Sequence, residues 1–182
     1  MSELKESPIG VYEERDTACH EYDARAPLVA ARVAELIHML APEVVVEHVG
    51  STAVPGLAGK GVIDLMVLYP PGALERAKAA LDQLGFQRQG TRDPWPESRP
   101  MRLGALRFDG ETFRLHAHVI AADAEEVSVL RGFRDRLRYD PQLRAAYVER
   151  KRAILESGVT DSVDYSYAKS EFIQTEMQNG ER

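Results

Sequence analysis

A chain of 182 residues with 44% hydrophobic content is long enough for one ordinary core and leaves little room for a second. Its net charge of −6 excludes a protein that coats nucleic acid through general electrostatics, and its apolar runs are too short to span a bilayer. The start, MSELKESPIG, lacks the basic-then-apolar layout of a secretory signal, and a single cysteine, Cys19, excludes an internal disulfide, so a cytoplasmic chain with no membrane partner is expected.

In chain order, the first 24 residues read as polar and irregular, with room for a short strand. Pro27 opens a predicted helix through LVAARVAELIHML, whose apolar residues recur at helical spacing and which stops near Pro42. Residues 43–49 hold Val44, Val45 and Val46 in a row, which predicts a short buried strand ending at Gly50. A glycine-rich loop leads to a second strand over 62–69. After Pro70-Pro71-Gly72, ALERAKAALDQLG predicts a helix stopped by Gly85. The breakers in FQRQGTRDPWPESRP leave no regular element before Met101, and 101–123 then reads as a hairpin about Asp109-Gly110. From Glu125 onward the period is helical, with breaks at Asp140-Pro141 and Ser157-Gly158, so three helices follow. The expected architecture is α+β: one domain over 1–182, a small mixed sheet backed by helices, with 125–179 as its helical C-terminal part.

The chemistry gathers around HVGSTAVPGLAGKGVIDLMVLYP, residues 48–70. An acid inside a buried strand is costly unless it is paired, hydrogen-bonded or bound to metal, so Asp64 needs a partner; capping of the adjacent loop is one reading and a functional site the other. Gly50, Ser51 and Thr52 directly after a strand offer close backbone approach, free N–H groups and two hydroxyls, which suits a phosphate. Lys60, flanked by glycines, is either a solvated loop tip or a cation aimed at the same anion. Arg114, His116 and His118 alternate along one strand and share a face. Downstream, cations crowd between Arg131 and Arg152. Arg134 and Arg138 stand four apart on one helical face, as do Tyr165 and Lys169 on the last helix; an anion-facing surface and a solvated face are both open. Trp95, in DPWPESRP, either stacks on a base or plugs the sheet edge.

A Gly-Ser at a strand end, followed some dozen residues later by an aspartate in the next strand, resembles the signature of the nucleotidyltransferase superfamily. The longer string HVGSTAVPGLAGKGVIDLMV, with FRLHAHV, GFRDRLRYDPQLRAAYVERK and YSYAKSEFI, is similar to the GrpB family within it, over roughly 43–173. The resemblance implies a nucleotidyltransferase-like fold, a Gly-Ser turn holding a nucleoside triphosphate or related anionic small molecule, and strand acids carrying a divalent metal, magnesium or manganese. It also implies anion binding at Lys60, Arg114, Arg134, Arg138, Tyr165 and Lys169. One departure matters: active transferases carry a second acid two residues after the first, and here Met66 stands in its place. His116 and His118 can replace carboxylates in a one-metal site with Asp64, although imidazole favours softer ions over magnesium; a hydrogen-bonded cleft lining is the other reading of the pair. Transfer of a nucleotidyl group, non-catalytic binding of a nucleotide or coenzyme A-related metabolite, and metal-assisted hydrolysis of a phosphorylated small molecule are the functions left to separate.

Overall fold

One of the two neighbouring strands at the sheet centre, residues 111–121, alternates apolar with polar residues, the other, 62–69, is apolar but for Asp64, and the period of two decides which face of the sheet is core and which is chemistry. A computed structural model describes residues 7–15 and 17–179. Its elements are α1 (Ala26–Leu40), β1 (Val45–Val49), a single 3-10 turn (Ser51–Ala53), β2 (Val62–Tyr69), α2 (Leu74–Leu84), β3 (Gln87–Arg88), β4 (Met101–Phe108), β5 (Glu111–Ala121), α3 (Glu125–Tyr139), α4 (Pro141–Glu156) and α5 (Ser162–Asn179). The five strands form one sheet in the order β1-β2-β5-β4-β3, in which β2 and β5 run parallel and the other pairs antiparallel.

Ile63, Leu65 and Val67 of β2 and Leu115, Ala117 and Val119 of β5 pack into one cluster with Val29, Val33 and Ile37 of α1 and Leu81 of α2. The opposite face carries Asp64, Met66, His116 and His118. It is closed at one end by an apolar cluster of Val49, Met66, Leu68, Ile120 and Val127, the last from α3. From the C-terminal helices, Phe133, Leu137, Leu143 and Tyr147 pack with Val54 and Leu57 of the loop after the Gly-Ser turn. Local signals explain the boundaries. Asp140 caps α4 by accepting from the Leu143 N–H at 2.9 Å, Gly85 ends α2 at φ 104°, and Asp109 and Gly110 turn the hairpin at φ 49° and 81°.

Three expectations are corrected. The first strand starts at Val45, not at residue 43, and it is not buried: it forms the sheet edge and leaves Val45 53% exposed, because a triple-valine run reports β-propensity and not the number of neighbours. The N-terminal segment forms no strand among the described residues, only isolated bridges at Gly10 to Ala105 and His20 to Gly59. Between Gly85 and Met101 a two-residue strand, β3, does pair, with Arg102 and Leu103 of β4. Among the described residues no helix is long and apolar enough to cross a membrane.

Candidate functional site

Register brings the turn to the acid. Val49 pairs with Asp64, so the chain leaves β1 beside that carboxylate. Gly50 takes φ 73°, and a Cβ there would lie 2.6 Å from Asp64 Oδ2, so only glycine lets the turn pass. The Thr52 hydroxyl donates to the Val62 carbonyl at 3.1 Å and lies 2.9 Å from His48 Nε2. Burial lowers the His48 pKa to about 4, so the ring is neutral, and Nε2 is the donor to the hydroxyl oxygen. Thr52 thus ties the turn to both strands, and its hydroxyl is engaged.

Parallel pairing sets Asp64 opposite His116 and Met66 opposite His118. His116 Nδ1 lies 3.4 Å and His118 Nε2 3.7 Å from Asp64 Oδ1, and the three ligand atoms are all within 4.8 Å of one another. Burial works to raise the carboxyl pKa of Asp64, but the two imidazoles outweigh it and hold the group well below the usual range. Burial lowers the His116 pKa against the pull of Asp64. Neighbouring ligands on a tetrahedral ion stand about 3.4 Å apart, given bonds of about 2.0–2.1 Å, so this donor set fits a single metal ion after shifts of about 1 Å or less. The outer nitrogens have partners. His116 Nε2 lies 3.1 Å from the Tyr12 hydroxyl, as a histidine that ligates through Nδ1 requires. His118 Nδ1 lies 3.4 Å from Arg99 Nη1; a guanidinium only donates, so here Nδ1 accepts and Nε2 carries the proton toward Asp64. Ligation through Nε2 needs the other tautomer, in which Nδ1 carries the proton and the long contact from Arg99 Nη1 is given up while Arg99 stays on Glu126.

Cations surround the acid. Lys60 Nζ sits 4.7 Å above the Tyr165 ring and Lys169 Nζ lies 5.8 Å from it, while Arg114 Nη2 donates to the Lys60 carbonyl at 2.9 Å. Lys151, 1% exposed, donates to Ser51 Oγ at 3.1 Å and to the Ala58 carbonyl, and its Nζ lies 4.5 Å from the Tyr147 ring. Among the described residues none of these four cations has a carboxylate within ion-pair distance. Burial, with the charge of Lys169 adding to it, brings both Lys60 and Lys151 down to about 8. Lys169 is raised, first by Tyr147 and then, against burial, by Asp64, so it keeps its proton. Burial pushes the Tyr165 hydroxyl up to about 12. The pocket therefore holds more positive charge than its own acids balance, the condition under which an anion is bound.

Arg134 and Arg138 are placed elsewhere. Arg134 donates to Glu47 and to the His48 carbonyl, both at 3.2 Å, and to Asp135 at 2.8 Å; Arg138 donates to the Ala53 carbonyl at 2.9 and 3.1 Å. They brace the Gly-Ser turn from outside, beside a hollow of about 640 Å³ that includes His48 and Arg138 but none of the Asp64, His116 and His118 group. Gly50, Ser51, Lys60, Arg114, Tyr165 and Lys169 do gather around Asp64. Sequence reasoning held Lys151 only as part of the cation run from Arg131 to Arg152 and singled out neither it nor Tyr147 as a site residue, although their spacing of four repeats that of Tyr165 and Lys169; nothing local pointed to Tyr12 or Arg99.

A family model described as GrpB protein matches residues 17–179. The chain belongs to the GrpB family. Among GrpB relatives, a UPF0157 protein of Streptomyces coelicolor is 36% identical over 91% of this chain and 84% of its own length. A UPF0157 protein of Halalkalibacterium halodurans is 29% identical over 97% and 89%. The crystal structure of GrpB from Enterococcus faecalis superposes with a TM-score of 0.65 at 23% identity, covering 87% of this chain and 93% of that one, so the two share a fold. A fainter likeness, TM-score 0.49 at 13% identity over 81% of this chain and 49% of the other, is to the Cid1 poly(U) polymerase; no residue role carries across at that distance.

Proposed function

We propose that this GrpB chain binds the phosphates of a nucleoside triphosphate over a one-metal site and transfers the nucleotidyl group to an acceptor, releasing pyrophosphate. The observation that carries the reading is the adjacency of two unlike features: a carboxylate with two imidazoles, and four cations that have no carboxylate within ion-pair distance among the described residues. Asp64, His116 and His118 would hold the metal, which supplies charge stabilisation on a phosphoryl oxygen. Two nitrogens and one oxygen suit manganese or zinc better than magnesium. Lys151 holds the Ser51 hydroxyl in place, and Lys60, Lys169 and Arg114 neutralise charge that develops on the leaving phosphates. Acceptor binding has room in a hollow of about 470 Å³ that Tyr12, Glu14, Arg88 and Arg92 help to line, next to His116 through Tyr12. A second reading, an anion-binding protein without transfer, is favoured by Met66, since no acid stands where a second metal would need one.

Calorimetric titration of manganese and zinc, with and without triphosphate, tests the site. Asp64→Asn and His118→Ala should each abolish metal binding, and the double variant should lose little more, because residues forming one site are not additive. Undiminished metal binding in either single variant, or simple additivity, overturns the shared site. Pyrophosphate release on mixing with triphosphate and candidate acceptors supports transfer; tight binding without release supports the second reading.

A further inference from the structure

We propose that Trp95 is the surface on which the planar ring of the nucleotide stacks, with the Arg99 guanidinium as its backing. The inference rests on the phosphate-site reading above and adds where the nucleoside half lies. Along β5, Arg114, His116 and His118 follow one another at steps of about 6.7 Å on one face. The cations gather at the Arg114 end, through the bond from Arg114 to the Lys60 carbonyl, and the metal group sits in the middle. At the His118 end stands an aromatic ring: Trp95 meets His118 edge-on with centroids 6.4 Å apart. Cations, metal and aromatic plane thus come in the order of phosphate tail, reacting phosphate and base in a nucleotide.

Trp95 is also held as a platform should be. It is the only tryptophan and 45% of it is exposed, more than a plug of the sheet edge would leave. Prolines flank it on both sides, its backbone N–H donates to Gln89 Oε1 at 2.9 Å, and Glu97, two residues on, is fixed by Arg102, which is 1% exposed. Arg99 lies 4.3 Å from the indole centre and is pinned by Glu126 of α3, through Nε at 2.9 Å and through Nη2. A large apolar ring kept rigid and in water beside a charged cleft loses little entropy on taking a flat partner, and base stacking on an aromatic side chain is sequence-tolerant.

The test compares ATP, CTP and inorganic tripolyphosphate by calorimetry at fixed manganese, with Trp95 emission as a second readout. Nucleotides should bind about tenfold or more tightly than tripolyphosphate and quench the emission. Trp95→Ala should erase that advantage while tripolyphosphate binds as before, and Trp95→Phe should keep part of it. Equal affinities in the native protein, or an advantage that survives Trp95→Ala, overturn the stacking and leave the phosphate site standing. Loss of tripolyphosphate binding in Trp95→Ala marks a structural residue and also overturns it. If neither ligand binds the native protein, the phosphate site itself fails and the stacking fails with it.

Discussion

Replacing Lys151 by methionine separates the cost of a buried charge from the benefit of its hydrogen bonds. With a native pKa near 8 against an ordinary 10.5, Lys151 is harder to protonate folded than unfolded. Below pH 8 both states carry the proton and the native state bears the whole penalty; between 8 and 10.5 only the unfolded chain holds it, so stability rises with pH through that window. From pH 7 to pH 10 the native protein should gain about 2–3 kcal/mol from this group alone. Lys151→Met removes that gain. It also leaves the Ala58 carbonyl and Ser51 hydroxyl without their donor, a loss of about 1–3 kcal/mol that applies at both pH values, since a neutral amine still donates. Urea denaturation of both proteins at pH 7 and pH 10 reads the difference of differences, and tyrosine ionisation, common to both chains, cancels. The variant should range from neutral to stabilised by about 2 kcal/mol at pH 7 and should be less stable than the native protein at pH 10. Parallel pH profiles would refute the buried-charge reasoning. Bound tripolyphosphate should oppose the same deprotonation, so its affinity for the native protein should fall as pH rises past about 8.

Gly50→Ala should cost about 2 kcal/mol or more, from a left-handed backbone and a Cβ driven at Asp64, and should weaken manganese binding at least tenfold; urea melts and calorimetry check it, and a change under about 0.5 kcal/mol would mean that the turn relaxes freely. Arg134→Ala should lose about 1–3 kcal/mol of stability through the His48 carbonyl and Glu47 while tripolyphosphate affinity stays within about twofold; a large loss of affinity in a stably folded variant would return Arg134 to the binding cleft.

Elements with a local cause were legible in the sequence. The stop at Gly85, the break at Asp140-Pro141, the Asp109-Gly110 turn and the helical period after Glu125 depend on neighbours in the chain, and each formed where read. Asp64 and the His-x-His strand were legible because period two fixes a face, and the parallel register of β2 and β5 then set them side by side. What depends on distant segments was not legible. Whether a strand is central or edge is a matter of partners, which misled the reading of β1. Arg134 and Arg138 share a helical face as expected, yet spacing cannot say what that face meets, and it meets carbonyls and Glu47. Tyr12 reaches His116 across 104 residues, and no periodicity encodes such a contact.

The missing second acid has a physical reason in the packing. Met66 is fully buried among Val49, Leu68, Ile120 and Val127, where α3 closes over the sheet, and a carboxylate at that position would lie in apolar surroundings at a cost of several kcal/mol. The acid that faces it across β1, Glu47, is already neutralised. Arg131 and Arg134 both bind it, and their hydrogen bonds lower its pKa against burial. So among the described residues the side of Asp64 toward α3 offers no free carboxylate for a second ion, while the side toward β5 offers two nitrogens. On the proposed function, the charge that a second metal would bring to a triphosphate would come from protein cations instead. In the proposed function Lys60, Lys151, Lys169 and Arg114 would supply that charge, since among the described residues none of them has a carboxylate within ion-pair distance.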